Sequence, residues 1–141
     1  MGQQQLLLVI LVTIIVGVAT VVAINIFGQS AANANIDATR QDVLTLAAQM
    51  QGYALKPELM GGGGGDFVDL TVDKLGFGYD SDNSTSGVDF VNANAHFVID
   101  PATGGITATP VRIDGSTDWT TEDFVATVTM DDITFDTVPA K

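Results

Sequence analysis

The amino-acid sequence predicts an α+β fold, in which a long hydrophobic helix at the N-terminus precedes a small antiparallel β-rich head. Three observations support this prediction. Residues 6–27 are apolar and uncharged, a helical pattern continues from there to residue 56, and apolar and polar residues alternate as in strands from residue 67 onward. We therefore expect a helix over 1–56, a glycine-rich linker over 57–66 and a globular head over 67–141.

The apolar run over 6–27 reads LLLVILVTIIVGVATVVAINIF. As a helix it would be about 33 Å long, which is enough to cross a hydrocarbon layer of about 30 Å. A cleaved secretory signal would place a basic segment before a shorter apolar core, whereas the first basic residue of this chain is Arg40. A domain of this size does not bury so long an apolar helix by itself. The run is therefore expected to lie in a membrane or against other copies of itself.

The helical pattern continues over 28–56 as an amphipathic helix. The residue before a proline disfavours the α conformation, so the helix should end before Pro57. Gly28, at the edge of the apolar run, is the better candidate for a bend, and Gly17 is interpreted as a tolerated membrane glycine. One face of this half carries the apolar residues that should cover the head: Ala32, Ile36, Val43, Ala47, Met50 and Ala54.

Five consecutive glycines, 61–65, follow the helix. No Lys-Ser or Lys-Thr follows them, so the run does not match a phosphate-binding loop. The preferred interpretation is a flexible linker. The alternative is a loop that packs closely on a neighbouring backbone because it carries no side chains.

Alternation with a period of two predicts four or five short strands in the head, and short strands joined by short turns favour an antiparallel sheet. The predicted strands cover 67–72, 88–99, 107–113, 124–130 and 133–135. Pro110 lies in the third of them, which predicts an edge position because proline cannot donate to the ladder. The sheet is expected to pack on the helix through a face formed by Phe124, Ala126, Val128 and Met130.

The chain carries 17 acidic and 5 basic residues, a net charge of −12, and all of these residues follow the apolar run. Without a basic patch, binding to nucleic acid or to anionic lipid surfaces is disfavoured. The acidity fits a solvated exterior domain, either one that works in high salt, where repulsion is screened, or an ordinary acidic secreted domain. The chain has no cysteine, so disulfides and thiolate metal sites are excluded.

No group of residues predicts an enzyme or a cofactor site. His96 is the only histidine, and the sequence places no nucleophile or base beside it, so a structural role is expected. Two turns are weak candidates for binding a hard cation, with solvated turns as the favoured alternative. Their carboxylates are Asp80 and Asp82 in the first turn and Asp131 and Asp132 in the second. Asn83-Ser84-Thr85 fits a glycosylation acceptor at Asn83.

The overall plan resembles the type IV pilin superfamily. The features that carry the resemblance are Gly2, the polar stretch Gln3-Gln4-Gln5, the uninterrupted apolar helix, its amphipathic continuation and a small β-domain. In that family a peptidase cuts after a glycine just before the apolar run, and Gly2 matches that glycine. If Met1 is instead the first residue of the mature chain, Gln5 takes the place of the family's glutamate. The chain departs from common bacterial members in having no disulfide near its C-terminus.

The resemblance implies a non-enzymatic structural subunit of an extracellular helical filament at the cell surface, with helices in its core and acidic heads outside. The implied partners are many copies of the chain itself, the cytoplasmic membrane before assembly, and a pilus-type assembly machinery. A membrane-anchored monomeric surface protein with a binding head and a secretion-system pseudopilin are the alternatives, and the filament's role in adhesion, motility or DNA uptake stays open. The residues expected to mediate assembly are Gln5, Leu6, Leu8, Ile10, Ile14, Ile15, Gly17, Val21, Ile24, Phe27 and Arg40.

Arg40 is the first positively charged residue of the predicted helix. We expect it to offset Asp37 or Asp42, or an acidic residue of the next copy. The alternative is a solvated pair one turn apart, worth only a few tenths of a kcal/mol.

Overall fold

The structure is a computed structural model, and it describes residues 2–76, 87–110 and 124–137. One long helix precedes two short 3-10 helices and five strands, which confirms the predicted α+β fold. The elements are α1 (Gly2–Leu55), the 3-10 helices Glu58–Met60 and Val72–Leu75, and the strands β1 (Asp89–Val91), β2 (Ala95–Asp100), β3 (Gly105–Pro110), β4 (Phe124–Val128) and β5 (Ile133–Thr137).

α1 is a continuous helix of 54 residues, about 80 Å long at the usual rise of about 1.5 Å per residue. Its backbone stays helical through Gly17 and Gly28. It ends two residues before Pro57, because the proline disfavours the helical conformation of the residue that precedes it.

The head packs on the C-terminal part of α1. Ile36 is partly buried against the core, whereas Ala32 is exposed, so the predicted apolar face begins too early. Ala32 lies on the N-terminal side of the part of α1 that the sheet covers. The buried residues of α1 are Thr39, Val43, Leu46, Ala47, Met50, Tyr53 and Ala54.

The five strands form one antiparallel sheet in the order β1-β2-β3-β4-β5, so consecutive strands are neighbours. Buried residues alternate along the strands, as the period of two predicts. Met130 was expected on the sheet face that packs on the helix, but it lies beyond the end of β4 and is exposed. Asp89 and Thr109 are buried as well and interrupt the alternation in β1 and β3. The buried apolar strand residues are Phe90, Ala95, Phe97, Ile99, Ile106, Ala108, Phe124, Ala126 and Val128.

Residues 67–72 do not form the predicted strand. Asp69 has a φ of 62°, a left-handed conformation that breaks an extended segment. Leu70 donates its N–H to the carbonyl of Phe67 at 3.0 Å, as in a turn, and a 3-10 helix begins at Val72. Six alternating residues are compatible with either an extended chain or successive turns, and here the turns bury Phe67, Leu70 and Val72.

Residues 88–99 form a hairpin, not the single strand that was predicted. The side-chain oxygen of Asn92 accepts hydrogen bonds from the backbone N–H groups of Asn94 and Ala95, both at 2.8 Å, and this fixes the reversal. The turn Asn92-Ala93-Asn94 continues the polar–apolar alternation, so the pattern does not reveal the break. The two asparagines therefore belong to a turn and not to the strand that carries His96.

The prediction that Pro110 marks an edge strand is wrong, because β3 lies between β2 and β4. Pro110 is the last residue of β3 and lies opposite Ala95. The pairing of β3 with β4 involves earlier residues of β3, up to Ala108 opposite Phe124. At a strand end the missing N–H interrupts the ladder least.

The glycine run 61–65 packs against the end of α1. The preferred interpretation as a flexible linker is therefore wrong, and the alternative, a loop packed closely on a neighbouring backbone, is confirmed. Its last three backbone N–H groups donate to carbonyls in and just after the last turn of α1, at 2.7–2.9 Å. A helix end leaves such carbonyls without partners, so the run acts as a cap. A Cβ on Gly63 would overlap the carbonyl oxygen of Asp66, which explains the lack of a side chain there.

Candidate functional site

A long exposed apolar surface lies on the part of α1 that projects from the head. We call residues 6–27 the stem. All of them are exposed, and the large apolar side chains range from 47% exposed at Ile10 to 76% at Phe27. By length and composition, α1 can cross a membrane. A helix that is apolar on every side is stable only where lipid or protein surrounds it.

The two hydroxyl groups of the stem form hydrogen bonds within the helix itself. Thr13 donates to the carbonyl of Ile10 and Thr20 to the carbonyl of Val16, both at 2.8 Å. These hydroxyls therefore do not oppose transfer out of water as strongly as free hydroxyls would. Except for Arg40, the predicted assembly residues all lie on the exposed N-terminal part of α1. Gly2, the predicted processing site, is the first residue of α1.

Where α1 enters the head, two of its side chains hold the β1–β2 turn. The buried hydroxyl of Thr39 lies 2.9 Å from the carbonyl of Asn35 and 3.4 Å from that of Asn94. Asp42 accepts hydrogen bonds through Oδ2 from the side-chain amides of Asn92 and Asn94, at 2.9 and 2.8 Å. The turn is thus fixed to the helix by charge-assisted hydrogen bonds.

A second connection lies about three turns further along α1. The amide of Gln51 donates to the carbonyl of Thr129 at 2.9 Å, and the carbonyl of Asp132 lies 3.5 Å from the same nitrogen. Both carbonyls belong to the β4–β5 turn. The sheet is therefore held on α1 at two separated points, with the apolar core between them, and the stem continues from the head as part of the same unbroken helix.

Arg40 lies over the ring of Phe124, with its guanidinium carbon 6.0 Å from the ring centre. This aromatic partner was not anticipated from the sequence, because it comes from a strand 84 positions away in the chain. Asp42, one of the two predicted partners of Arg40, accepts hydrogen bonds from the asparagines of the β1–β2 turn. A cation over an aromatic ring contributes about 0.5–1 kcal/mol at an exposed site.

His96 lies in β2, and its Nε2 is 3.7 Å from Oδ2 of Asp89 in β1. The register places Asp89 opposite Val98 and His96 opposite Val91, so the pair is a diagonal contact across two strands. A contact of this kind joins neighbouring strands. The expectation that His96 has a structural role stays a prediction.

Two carboxylates in and beside the β4–β5 turn accept hydrogen bonds from backbone and hydroxyl groups. Asp132 accepts from the N–H of Ile133 at 2.8 Å, and Asp136 accepts from the hydroxyl of Thr127 at 2.8 Å. Within residues 2–76, 87–110 and 124–137, no three His, Cys, Asp or Glu side chains are grouped as metal ligands. The candidates Asp80, Asp82 and Asn83 lie outside the described residues.

The β2–β3 turn contains a carboxyl group, that of Asp100, whose pKa lies below its ordinary value. Hydrogen bonds from the hydroxyl of Thr103 and the backbone N–H of Ala102 lower the pKa of Asp100. Both contacts favour the charged carboxylate, which fixes the turn.

A second apolar surface lies at the end of the head opposite the stem, and the sequence analysis missed it. We call it the tip; it consists of Leu55, Leu59, Met60, Val68 and Met130, all exposed. Leu59 and Met60 lie in the 3-10 helix just before the glycine run. The interpretation of this region as a flexible linker concealed the tip, because only the folded cap shows that these side chains are held outward.

The fold joins a long N-terminal apolar helix to a small antiparallel sheet, and this arrangement is pilin-like in architecture. Architecture alone does not identify a family, because one plan can serve several functions. Comparison of the chain with protein families, with curated proteins and with solved structures finds no match.

Proposed function

We propose that the chain is the subunit of an extracellular helical filament of the type IV pilin kind, with stems bundled in the core and acidic heads on the outside. The observation that carries the proposal is the stem: an uncharged apolar helix, exposed throughout, that continues without a break into the core of the head. Each large apolar side chain that leaves water contributes about 1.5–3 kcal/mol. The stem therefore strongly favours any state that covers it.

A rigid joint favours a filament over a simple anchor. A membrane anchor needs only about 20 apolar residues and tolerates a loose connection to its domain. Here the same helix carries both the stem and the buried residues of the head, and hydrogen bonds from Asp42 and Gln51 hold the sheet on it. A helical polymer requires each copy to present its contacts in one fixed geometry, which a rigid joint provides.

The separation of charge supports the same arrangement. The stem carries no charged side chain, and the net charge of −12 belongs to the part of the chain that follows it. Copies that met through their heads alone would bring like charges together, whereas copies that meet through stems would not. A membrane-anchored surface protein is the second candidate, favoured by the ability of α1 to cross a membrane.

The test is electron microscopy of material sheared from cells that express the chain, together with a variant in the stem. Ile15→Asp should abolish fibres, because a carboxylate buried without a partner among stems costs several kcal/mol per copy. Ala48→Asp, at an exposed position of α1 within the head, is the matched control, because it adds the same charge outside the stem, and it should leave fibres intact. Normal fibres from Ile15→Asp would rule out a core built from stems, and a wild-type chain found only in membranes would favour the anchor.

A further inference from the structure

The tip is an apolar surface on a rigid support. Leu59 is 101% exposed, as open to solvent as in an extended peptide, and Leu55, Met60 and Val68 are each more than half exposed. Single exposed apolar residues are ordinary, but a group of them at one end of a molecule marks a contact surface.

The tip is held in place by backbone hydrogen bonds. Pro57 accepts from the N–H of Met60 at 2.9 Å, and Glu58 accepts from the N–H of Gly61 at 2.9 Å. The rest of the glycine run caps α1, as described above. Leu59 is therefore presented outward by a fixed loop, and ordering it on binding costs little conformational entropy.

A shallow cleft of about 540 Å³ lies beside this loop. Its lining is mostly apolar or without side chains, and includes Leu55, Pro57, Gly64, Gly65 and Met130. Among the described residues that line it, Glu58 is the one that carries a charge. A cleft of this kind accepts apolar side chains that project from a helix.

We propose that the tip of one copy packs against the stem of a second copy, with apolar stem side chains seated in the cleft beside Leu59. The charge distribution selects this occupant. A second head would bring the acidic part of another chain, whereas the stem brings apolar surface and no charged side chain. Lys56 and Glu58 neighbour Leu55 and Leu59 in the chain and balance each other in charge, whereas Asp69 and Asp131 adjoin Val68 and Met130, which disfavours a second acidic head further.

The positions of the two surfaces set the polarity of the contact. Stem and tip lie toward opposite ends of one helix about 80 Å long. A contact between them joins two different surfaces, so it is heterologous and repeats from copy to copy without pairing two copies symmetrically. This inference rests on the proposed filament. It adds a specific contact between tip and stem to the contacts between stems in the core.

Cysteine cross-linking of the full chain tests the contact, since the chain has no cysteine of its own. Leu59→Cys would be combined in separate variants with a cysteine at Ile10, Val18, Ile24 or Phe27. At least one combination should give a ladder of multimers after oxidation, whereas Leu59→Cys alone should stay monomeric. Each stem cysteine alone can give dimers at most, and a monomeric Leu59→Cys excludes links between tips, so a ladder in the double variant then requires links between tip and stem.

Two results would overturn the inference: dimers from Leu59→Cys alone, which would mean that tips meet tips, or no ladder from any combination. Electron microscopy of the same wild-type preparation separates this result from the proposed function. Fibres that form without a ladder would contradict only the proposed tip contact, whereas the absence of wild-type fibres would contradict the proposed filament.

A second measurement does not depend on the choice of stem position. Leu59→Ser changes a fully exposed side chain, so the head should fold normally, but the concentration needed for fibres should rise by about tenfold or more if Leu59 is buried on assembly. Val98→Ser, on the exposed face of β2, is the matched control and should leave that concentration unchanged. Equal fibre formation by wild type and Leu59→Ser would contradict the proposal.

Discussion

Asp42 binds the β1–β2 turn to α1 through a single carboxylate oxygen. That oxygen accepts from the amides of Asn92 and Asn94, and the neighbouring hydroxyl of Thr39 lies close to the carbonyl of Asn94. A charged acceptor makes shorter and stronger hydrogen bonds than a neutral one. At the scale of residues, the joint between helix and sheet therefore depends on a small set of polar contacts at one end of the apolar core.

Asp42→Ala should destabilise the head by about 1–2 kcal/mol, because both amides lose a charged acceptor. Asp42→Asn keeps the shape and one acceptor oxygen, so its loss should be smaller. Thermal unfolding of the full chain in detergent, followed by near-ultraviolet circular dichroism, should show the order wild type, Asn, Ala, with a shift of roughly 4–8 °C per kcal/mol. If the alanine variant melts with the wild type, the amides of the turn do not depend on Asp42.

At the scale of elements, the sequence predicts those whose pattern is local. α1 follows from a long apolar run and from Pro57, and the positions of β4 and β5 follow from alternation between clear turns. The hairpin of β1 and β2 could not be recognised, because Asn92 and Asn94 continue the alternation and their partner Asp42 is 50 residues distant. Elements that depend on contacts between distant residues need the fold to reveal them.

The candidate site also has one part that the sequence reveals and one part that only the fold reveals. The stem is visible in the sequence because its hydrophobicity is continuous. The tip is not, because Leu59 and Met60 are two apolar residues beside a glycine run, and their exposure depends on the hydrogen bonds that fold the run onto α1. Composition alone cannot distinguish a glycine cap from a flexible linker.

Gly63→Ala should therefore destabilise the head by about 1–3 kcal/mol, the usual range for forced overpacking. Its Cβ would overlap the carbonyl oxygen of Asp66 and lie 2.9 Å from the ring of Tyr53. Gly52→Ala is the matched control near the same end of α1, where a Cβ meets nothing within 4 Å. That variant should stabilise by up to about 1 kcal/mol, because alanine is the better helix former. Chemical denaturation of both variants measures the difference, and equal midpoints would mean that the run moves as a free linker.

At the scale of the whole molecule, α1 belongs to both parts of the protein. Val43, Leu46 and Met50 are fully buried and supply helix residues to a core that the sheet alone does not close. Each contributes about 1.5–3 kcal/mol by leaving water, and their sum approaches the total stability of a small domain.

A chain that starts at Gln29 should be soluble, folded and monomeric, because it keeps this part of α1 and loses the stem. A chain that starts at Gly61 should be poorly folded, because the sheet loses its cover. Circular dichroism and size-exclusion chromatography of the two chains test both statements. A well-folded head from Gly61 onward would show that the sheet closes its core without α1.

The unequal distribution of charge along α1 and the head has a consequence for the electrostatics of a filament. If stems fill its axis, each added copy places a net charge of −12 on the outer wall, and the fibre is a rod-shaped polyanion around a neutral rod. Repulsion between neighbouring fibres then acts over about 30 Å at 0.01 M salt and only about 3 Å at 1 M. The spacing of fibres in a bundle would follow the ionic strength of the medium, while the cohesion of each fibre, which comes from apolar surface, would not weaken with added salt.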